Sequence, residues 1–481
     1  MSPKDASATA ETLRPDICVI GAGSGGLSVA AGAVRMGASV VLIEAGKMGG
    51  DCLNYGCVPS KAMIAAGKHA QAMRDAEPFG VAAVSPQVDF AAVKDHVEAV
   101  IAGIAPHDSQ ERFEGLGVTV IRAHARFTAR DAVEAGGRRI EARRFVIATG
   151  SRPAAPPIPG LEGVPYLTNE TVFALRERPA RLLVLGGGPI GMEMAQAHRR
   201  LGCEVVVIEG SRVLGRDDPE IAEIAVARLR AEGVEIVEGA PVAKAETTVG
   251  GGVALESKDG RRWEGTHLLV AAGRKANVED LGLEAAGVAR AKAGIEVDKG
   301  LRTSNRRVYA IGDVAGGLQF THVAGWHAGL VIRSALFRLP VKADTRAVPW
   351  VTYTEPEIAQ VGMTEGEART EHGDKVEVLR APYAENDRAR AERETEGLAK
   401  VIVVKGRPVG ASIVGARAGE LIALWALAIS AKVKIGTVAG MVAPYPSFGE
   451  ISRQAAGAYY QPRLFENPWV KRAVRLLAKL G

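Results

Sequence analysis

One pattern occurs twice in the 481-residue chain: an apolar strand, a Gly-x-Gly-x-x-Gly turn, a helical stretch, and a second apolar strand ending on a glutamate. The first copy, DICVIGAGSGGLSVAAGAVRMGASVVLIEAG, carries Gly21, Gly23, Gly26 and Glu44; the second, RLLVLGGGPIGMEMAQAHRRLGCEVVVIEG, carries Gly186, Gly188, Gly191 and Glu209. The same 23 positions separate Gly21 from Glu44 and Gly186 from Glu209. The first glycine permits a tight turn, the second lets backbone approach a pyrophosphate at the helix N-terminus, the third lets helix pack on strand, and the acid accepts from a ribose hydroxyl. Either turn alone is also what an ordinary strand-to-helix connection looks like. Two copies with matched spacing point to an α/β chain with two Rossmann-like dinucleotide-binding domains.

Between the two copies lies GGDCLNYGCVPSK, with Cys52 and Cys57 just downstream of the first nucleotide-binding strand. Four intervening residues can close a small loop onto a disulfide. Pro59 at an expected first helical position would put Cys57 beside the positive end of the helix dipole, where a thiolate is stabilised. Only four cysteines occur, without framework spacing, which implies a reducing compartment, expected to be cytoplasmic, and a catalytic bridge rather than a structural one. Cys18 and Cys203 sit in or beside apolar strand-like runs and read as buried small hydrophobes.

Two dinucleotides flanking a dithiol suggest one cofactor held permanently and one exchanging, naturally a flavin and a nicotinamide. Glu209 would repel a 2′-phosphate and favours NADH over NADPH, although Arg212 and Arg216 lie close by. A chain this long exceeds one core and implies roughly two to four domains. The net charge of +5 is spread out until the C-terminal tail, which argues against a nucleic-acid partner. Met1 to Pro15 lacks the basic start and apolar core of a signal peptide, and residues 1–14 are expected to be disordered. No stretch is long and apolar enough to span a bilayer.

These motifs, with FVIATGSRP, LLVAAGRKANVEDLGLEAAGV, VYAIGDVAGG and VTYTEPEIAQVGMT, resemble the class I pyridine nucleotide-disulfide oxidoreductases, the family of dihydrolipoamide dehydrogenase, glutathione reductase and mercuric reductase, over roughly Pro15 to Tyr460. The resemblance implies an FAD domain over 15–152 and 274–344, an NAD(P) domain over 153–273 with the return near Gly273, and a C-terminal α+β dimerisation domain over 345–466. Alternating apolar runs at Leu398 to Val404 and Pro408 to Val414 suit an antiparallel sheet there. It further implies that FAD and NAD(P)H are the cofactors, that Asp313 meets the ribityl chain, and that Thr149 and Gly150 help close the first nucleotide site; turn residues are their plainer reading. Thr321 and His322 would open a helix aimed at the flavin, with His322 itself there for packing or a hydrogen bond. Lys61 matches a lysine near flavin N5 and Glu193 its partner; an ordinary surface ion pair is the competing reading. NADH would reduce FAD, which would pass electrons to Cys57, leaving Cys52 to exchange with the acceptor. That acceptor would be a small-molecule or protein disulfide or a thiol-binding metal ion, and the enzyme a homodimer sharing its site between subunits.

The resemblance breaks at one place. Where disulfide reductases of this family carry a histidine acting as acid and base, in a pattern like His-Pro-Thr-x-x-Glu, this chain reads Tyr445-Pro446-Ser447-Phe448-Gly449-Glu450. A phenol with a pKa of about 10 cannot serve as an ordinary neutral-pH base, though it can donate a hydrogen bond or, as phenolate, bind a metal ion. Mercuric reductases also resemble the chain in having tyrosine there, but they add a C-terminal cysteine pair that is missing here. Asp51 replaces the threonine of many relatives. Competing functions are a dihydrolipoamide-dehydrogenase-like enzyme, a diaphorase or NADH oxidase, and a redox-sensing flavoprotein subunit; no further ligands accompany the cysteines as metal storage would need.

Residues 467–481 read as a basic amphipathic helix, Val470, Val474, Leu477 and Leu480 alternating with Lys471, Arg472, Arg475 and Lys479. Packing on the partner subunit and contact with an anionic membrane or an acidic redox partner are the two readings.

Overall fold

The computed structural model describes residues 11–480. Both repeated segments fold as β-α-β units whose strands are buried on both faces, as parallel strands flanked by helices must be. In the first, Ile17–Ile20 runs through the turn into helix Ser24–Arg35 and returns as Val40–Ile43. These strands lie centrally in a five-stranded parallel sheet ordered Val308–Ala310, Arg144–Ile147, Ile17–Ile20, Val40–Ile43, Thr119–Ile121. The chain therefore leaves this sheet after residue 147 and re-enters it at 308.

The second unit supplies Arg181–Leu185 and Glu204–Ile208 to a four-stranded parallel sheet completed by Glu235–Val237 and His267–Val270. Two short antiparallel strands, Ser151–Pro153 and Arg274–Ala276, pair where the chain passes out and back. A third layer follows, a five-stranded antiparallel sheet in which Leu398–Val404 pairs with Arg407–Gly415. Helices Ala418–Ser430 and Gly449–Gly457 belong to its core, which contains the fully buried Trp425 and Tyr383. Two parallel dinucleotide-binding sheets and a C-terminal α+β layer are the expected fold class. Cys18 and Cys203 are buried thiols.

The N-terminus differs from expectation. Residues 1–10 lie outside the described residues, but Thr12–Leu13 forms a strand paired with Arg139–Ile140. Disorder therefore does not extend to residue 14, because the neighbouring hairpin holds this segment as an added edge strand: the Arg139 and Glu141 amides donate to Glu11 and Leu13 carbonyls.

Candidate active site

One cavity of about 1980 Å³ is lined by both glycine turns, both terminal acids and both cysteines. The three glycines of each turn are small for different reasons. A Cβ on Gly21, whose φ is +104°, would lie 2.5 Å from the Ala148 carbonyl oxygen, and one on Gly26 would lie 1.8 Å from the Gly21 carbonyl oxygen. At Gly23 the nearest atom to such a Cβ is 3.9 Å away. The second turn repeats this: Gly186 and Gly191 are closed by backbone at 2.6 and 2.0 Å, while nothing of the chain lies within 4 Å of a Cβ on Gly188. Gly23 and Gly188 also cap their helices and line the cavity, so only a bound group would exclude a side chain there. That is the cradle a pyrophosphate needs. Gly26→Ala should therefore fail to fold. Gly23→Ala should fold normally and weaken FAD binding about ten- to hundredfold, a misfit of roughly 1–3 kcal/mol, as read by cofactor titration of the stripped protein.

Glu44 and Glu209 each latch their turn. Glu44 accepts from the Ala22 and Gly46 amides at 2.5 and 2.6 Å, and Glu209 from the Gly187 and Ser211 amides at 2.8 and 2.9 Å. Carboxylate oxygens keep further lone pairs, so each can still accept from a ribose hydroxyl. Arg212 is tied to carbonyls of its own loop, at Gly215 and Asp217.

Gly49 and Gly50, both at positive φ, turn the chain into a short helix, Gly50–Asn54, which carries Cys52; helix Cys57–Arg74 follows. Cys57 is itself the first helical residue and Pro59 the third, rather than the first as the sequence suggests. The Cys57 sulfur is nonetheless at the helix N-terminus, the electropositive end. Cys52 and Cys57 are neighbouring thiols, and Cys57 Sγ lies 3.3 Å from Thr321 Oγ1. The Cys52 contact, the Thr321 hydroxyl and the Lys61 charge outweigh burial and pull the Cys57 thiol down to about 6, while Cys52 is pushed well above an ordinary thiol by its contact with Cys57 and by burial. Cys57 is thus the thiolate of the pair. Its reactivity should rise as pH climbs through that value. Thr321→Val removes one stabilising contact and should shift the alkylation midpoint of Cys57 upward by up to about one unit, read from iodoacetamide rates against pH.

Lys61 Nζ meets Glu193 Oε2 at 2.8 Å, and the other Glu193 oxygen accepts from the Tyr353 amide at 2.8 Å. Glu193 is only 6% exposed and Lys61 lies 4.3 Å above the Tyr353 ring, so the pair is a cavity wall rather than a surface ion pair. Asp313 also lines the cavity; burial raises its pKa against the opposing Ser151 hydrogen bond. Thr149 Oγ1 donates to the Asn277 carbonyl at 2.7 Å, and Gly150 and Gly273 take positive φ at the same wall. His322 pairs with the Pro349 carbonyl at 2.8 Å and stacks on Phe320, matching its hydrogen-bond reading.

Several partners escape sequence reasoning. Asp51 forms an ion pair with Arg274 at 3.1 Å and accepts from Asn169 Nδ2 at 3.0 Å, which ties the dithiol turn to the segment linking the two nucleotide-binding sheets. Arg274 also donates to Ser151. Neither Asn169 nor Tyr353 carries a local signal, and Thr321 reads in the sequence only as a helix start.

Tyr445 and Glu450 are not brought to this cavity within one chain. Tyr445 is 70% exposed and donates to Asp387 Oδ2 at 3.1 Å; that hydrogen bond and charge hold its hydroxyl above the usual phenol value. Glu450 is buried in helix Gly449–Gly457.

Two nucleotide turns and a dithiol share one cavity, and the chain belongs to the pyridine nucleotide-disulphide oxidoreductase family, whose model matches residues 15–328, with the family's dimerisation domain matching 348–456. It is an enzyme that uses FAD and NAD(P)H, and the dimerisation domain supports a homodimer. The chain is 35% identical to a mercuric reductase of Lysinibacillus sphaericus over 92% of its own length and 82% of the relative's. It is 34% identical to a dihydrolipoyl dehydrogenase of Staphylococcus aureus over 92% and 96%. The HOCl-induced flavoprotein disulfide reductase RclA of Escherichia coli, solved as a Cu(II) complex, superposes with a TM-score of 0.83 at 28% identity, covering 92% of this chain and 99% of that one. No helix among the described residues is long and apolar enough to cross a membrane.

Proposed function

We propose that the chain is an NADH-dependent flavoenzyme whose Cys52/Cys57 pair passes electron pairs to a thiol-binding metal ion. The observation that carries this reading is Cys57 at a helix N-terminus, held as the thiolate of the pair, in a cavity shared with both nucleotide turns. Bound FAD supplies hydride acceptance from NADH and electron-pair delivery to sulfur. The chain's own residues do the rest. Gly21, Gly23 and Gly26 with Glu44 would seat one dinucleotide, and Gly186, Gly188 and Gly191 with Glu209 the other. Glu209, accepting from the backbone of its turn while Arg212 donates to carbonyls of its own loop, favours a free 2′-hydroxyl and hence NADH, against the pull of Arg216 on the same cavity wall. Each electron pair opens the Cys52–Cys57 bond to a thiolate and a thiol, one proton being taken up. Thr321 and Lys61 hold the negative charge on Cys57, leaving Cys52 to meet the acceptor; the bridge then reforms and its proton is released as the pair passes to one Hg(II), giving Hg(0), or to two Cu(II), giving two Cu(I).

Metal ion is favoured over disulfide by Tyr445. Identity does not separate the two, since relatives of both kinds are about equally similar. A disulfide acceptor needs a neutral-pH acid to protonate the departing thiolate, and a phenol held above its usual pKa by Asp387 is a poor one. In a dimer, Tyr445 of the other subunit would instead supply a hydroxyl beside Cys52. Enzyme reduced anaerobically with NADH should be reoxidised by Hg(II) or Cu(II) much faster than by oxidised lipoamide or glutathione disulfide. Fast reoxidation by either disulfide, with slow response to both ions, would overturn the choice.

A further inference from the structure

The C-terminal helix does not line the cavity that holds both nucleotide turns and the dithiol. Its start is set locally: Asn467 accepts from the Trp469 amide as an N-cap, Pro468 takes the first position, and the helix runs Pro468–Leu477. One side carries Trp469, Val474, Leu477 and, just past the helix end, Leu480, which are 74%, 59%, 64% and 77% exposed. The other carries Lys471, Arg472, Arg475 and Lys479, and no acid occurs from 467 to 480. Among the described residues these four cations form no ion pair with an acid of the chain, whereas Arg463, just upstream, is matched by Glu377 at 2.6 Å. The family's dimerisation domain ends at residue 456, before this helix begins.

We propose that this helix docks the enzyme on an anionic lipid bilayer, lying in the plane of the surface. An exposed apolar stripe needs cover, and a flank of unmatched cations selects the cover: a continuous sheet of phosphate headgroups over acyl chain satisfies both sides of one helix at once. A tryptophan at the start of the apolar stripe suits the headgroup boundary, where one end of the indole is wet.

The test uses the full-length, FAD-loaded protein and phosphatidylcholine vesicles with or without about one third phosphatidylglycerol; sedimentation should show a bound fraction at least about tenfold higher on the anionic vesicles, falling as salt is raised. V474E/L477E, and separately a chain ending at Asn467, should lose that binding while dimer mass by light scattering and NADH–ferricyanide turnover stay unchanged. Absence of binding to anionic vesicles, or binding that survives both changes, would overturn the proposal. Dissociation of the dimer in either variant would overturn it too, by assigning the stripe to a second copy of the chain.

Discussion

Cys57→Ser should lower reduction of the proposed metal acceptor by at least about a thousandfold, some 4 kcal/mol of barrier, while FAD stays bound and NADH still bleaches it. A hydroxyl cannot form the bridge, and at neutral pH it is not ionised, so no electron pair can be stored on oxygen as it is on sulfur. Cys52→Ser should be equally inactive for a different reason: Cys57 stays beside Thr321 and Lys61, with the new hydroxyl replacing the lowering contact of the Cys52 thiol, but the sulfur proposed to meet the acceptor is lost. The two variants should therefore look alike in turnover and unlike in titration, since only Cys52→Ser keeps a cysteine that is alkylated near neutral pH. Metal reduction surviving either change would show that electrons bypass the dithiol, as in a diaphorase.

The largest stability effect is expected away from the cavity, where the second nucleotide-binding sheet meets the C-terminal layer. Lys400, on strand Leu398–Val404, is 3% exposed and lies 2.9 Å from Asp218, 2.8 Å from Glu220 and 2.7 Å from Glu365. Burial opposes its charge, but the three carboxylates more than offset this and hold its pKa above the ordinary lysine value. Asp218 is itself 2% exposed and caps helix Pro219–Ala231. Lys400→Met fills the same volume and strands the buried Asp218, while Glu220 keeps Arg380 and Glu365 keeps Arg369, which should cost about 3–5 kcal/mol and lower the unfolding temperature by roughly 5–10 °C. Glu220, paired with Arg380 and Lys400, sits at about 2 in the folded protein, so its contribution is present above the ordinary carboxylate range and is lost as pH falls towards that value. A stranded acid behaves oppositely and is relieved by protonation. The deficit of Lys400→Met should thus shrink as pH falls from 7 towards 4, as read from thermal unfolding across that range. A deficit independent of pH would mean lost packing rather than lost charge.

What can be read in the sequence follows from the range of the interactions. The glycine turns, their strands and Glu44 or Glu209 form within one β-α-β unit, so spacing alone identifies them. The Cys52 to Cys57 loop is equally local, and only its helix start differs: the helix opens at Cys57 itself, before Pro59. Lys61 and Glu193 stand 132 positions apart and are paired only through resemblance to a family. The contacts of Cys57 with Thr321 and of Asp51 with Arg274 depend on how separate sheets dock, and no periodicity in the chain encodes that. The departure at Asp51 is visible in the sequence, but its meaning requires Arg274 and Asn169 to be placed beside it. Tyr445 is likewise visible as a substitution, while the Asp387 carboxylate to which its hydroxyl donates is not.

The most direct test of the dithiol relay is a thiol count during anaerobic reduction. Oxidised enzyme carrying FAD is titrated with NADH and quenched with iodoacetamide, and the alkylated residues are identified by peptide mass. Cys57, the thiolate of the pair, should become labelled in step with NADH consumed, while the buried Cys18 and Cys203 stay unlabelled. Flavin that is fully reduced by NADH while Cys52 and Cys57 remain bridged and unlabelled would contradict it.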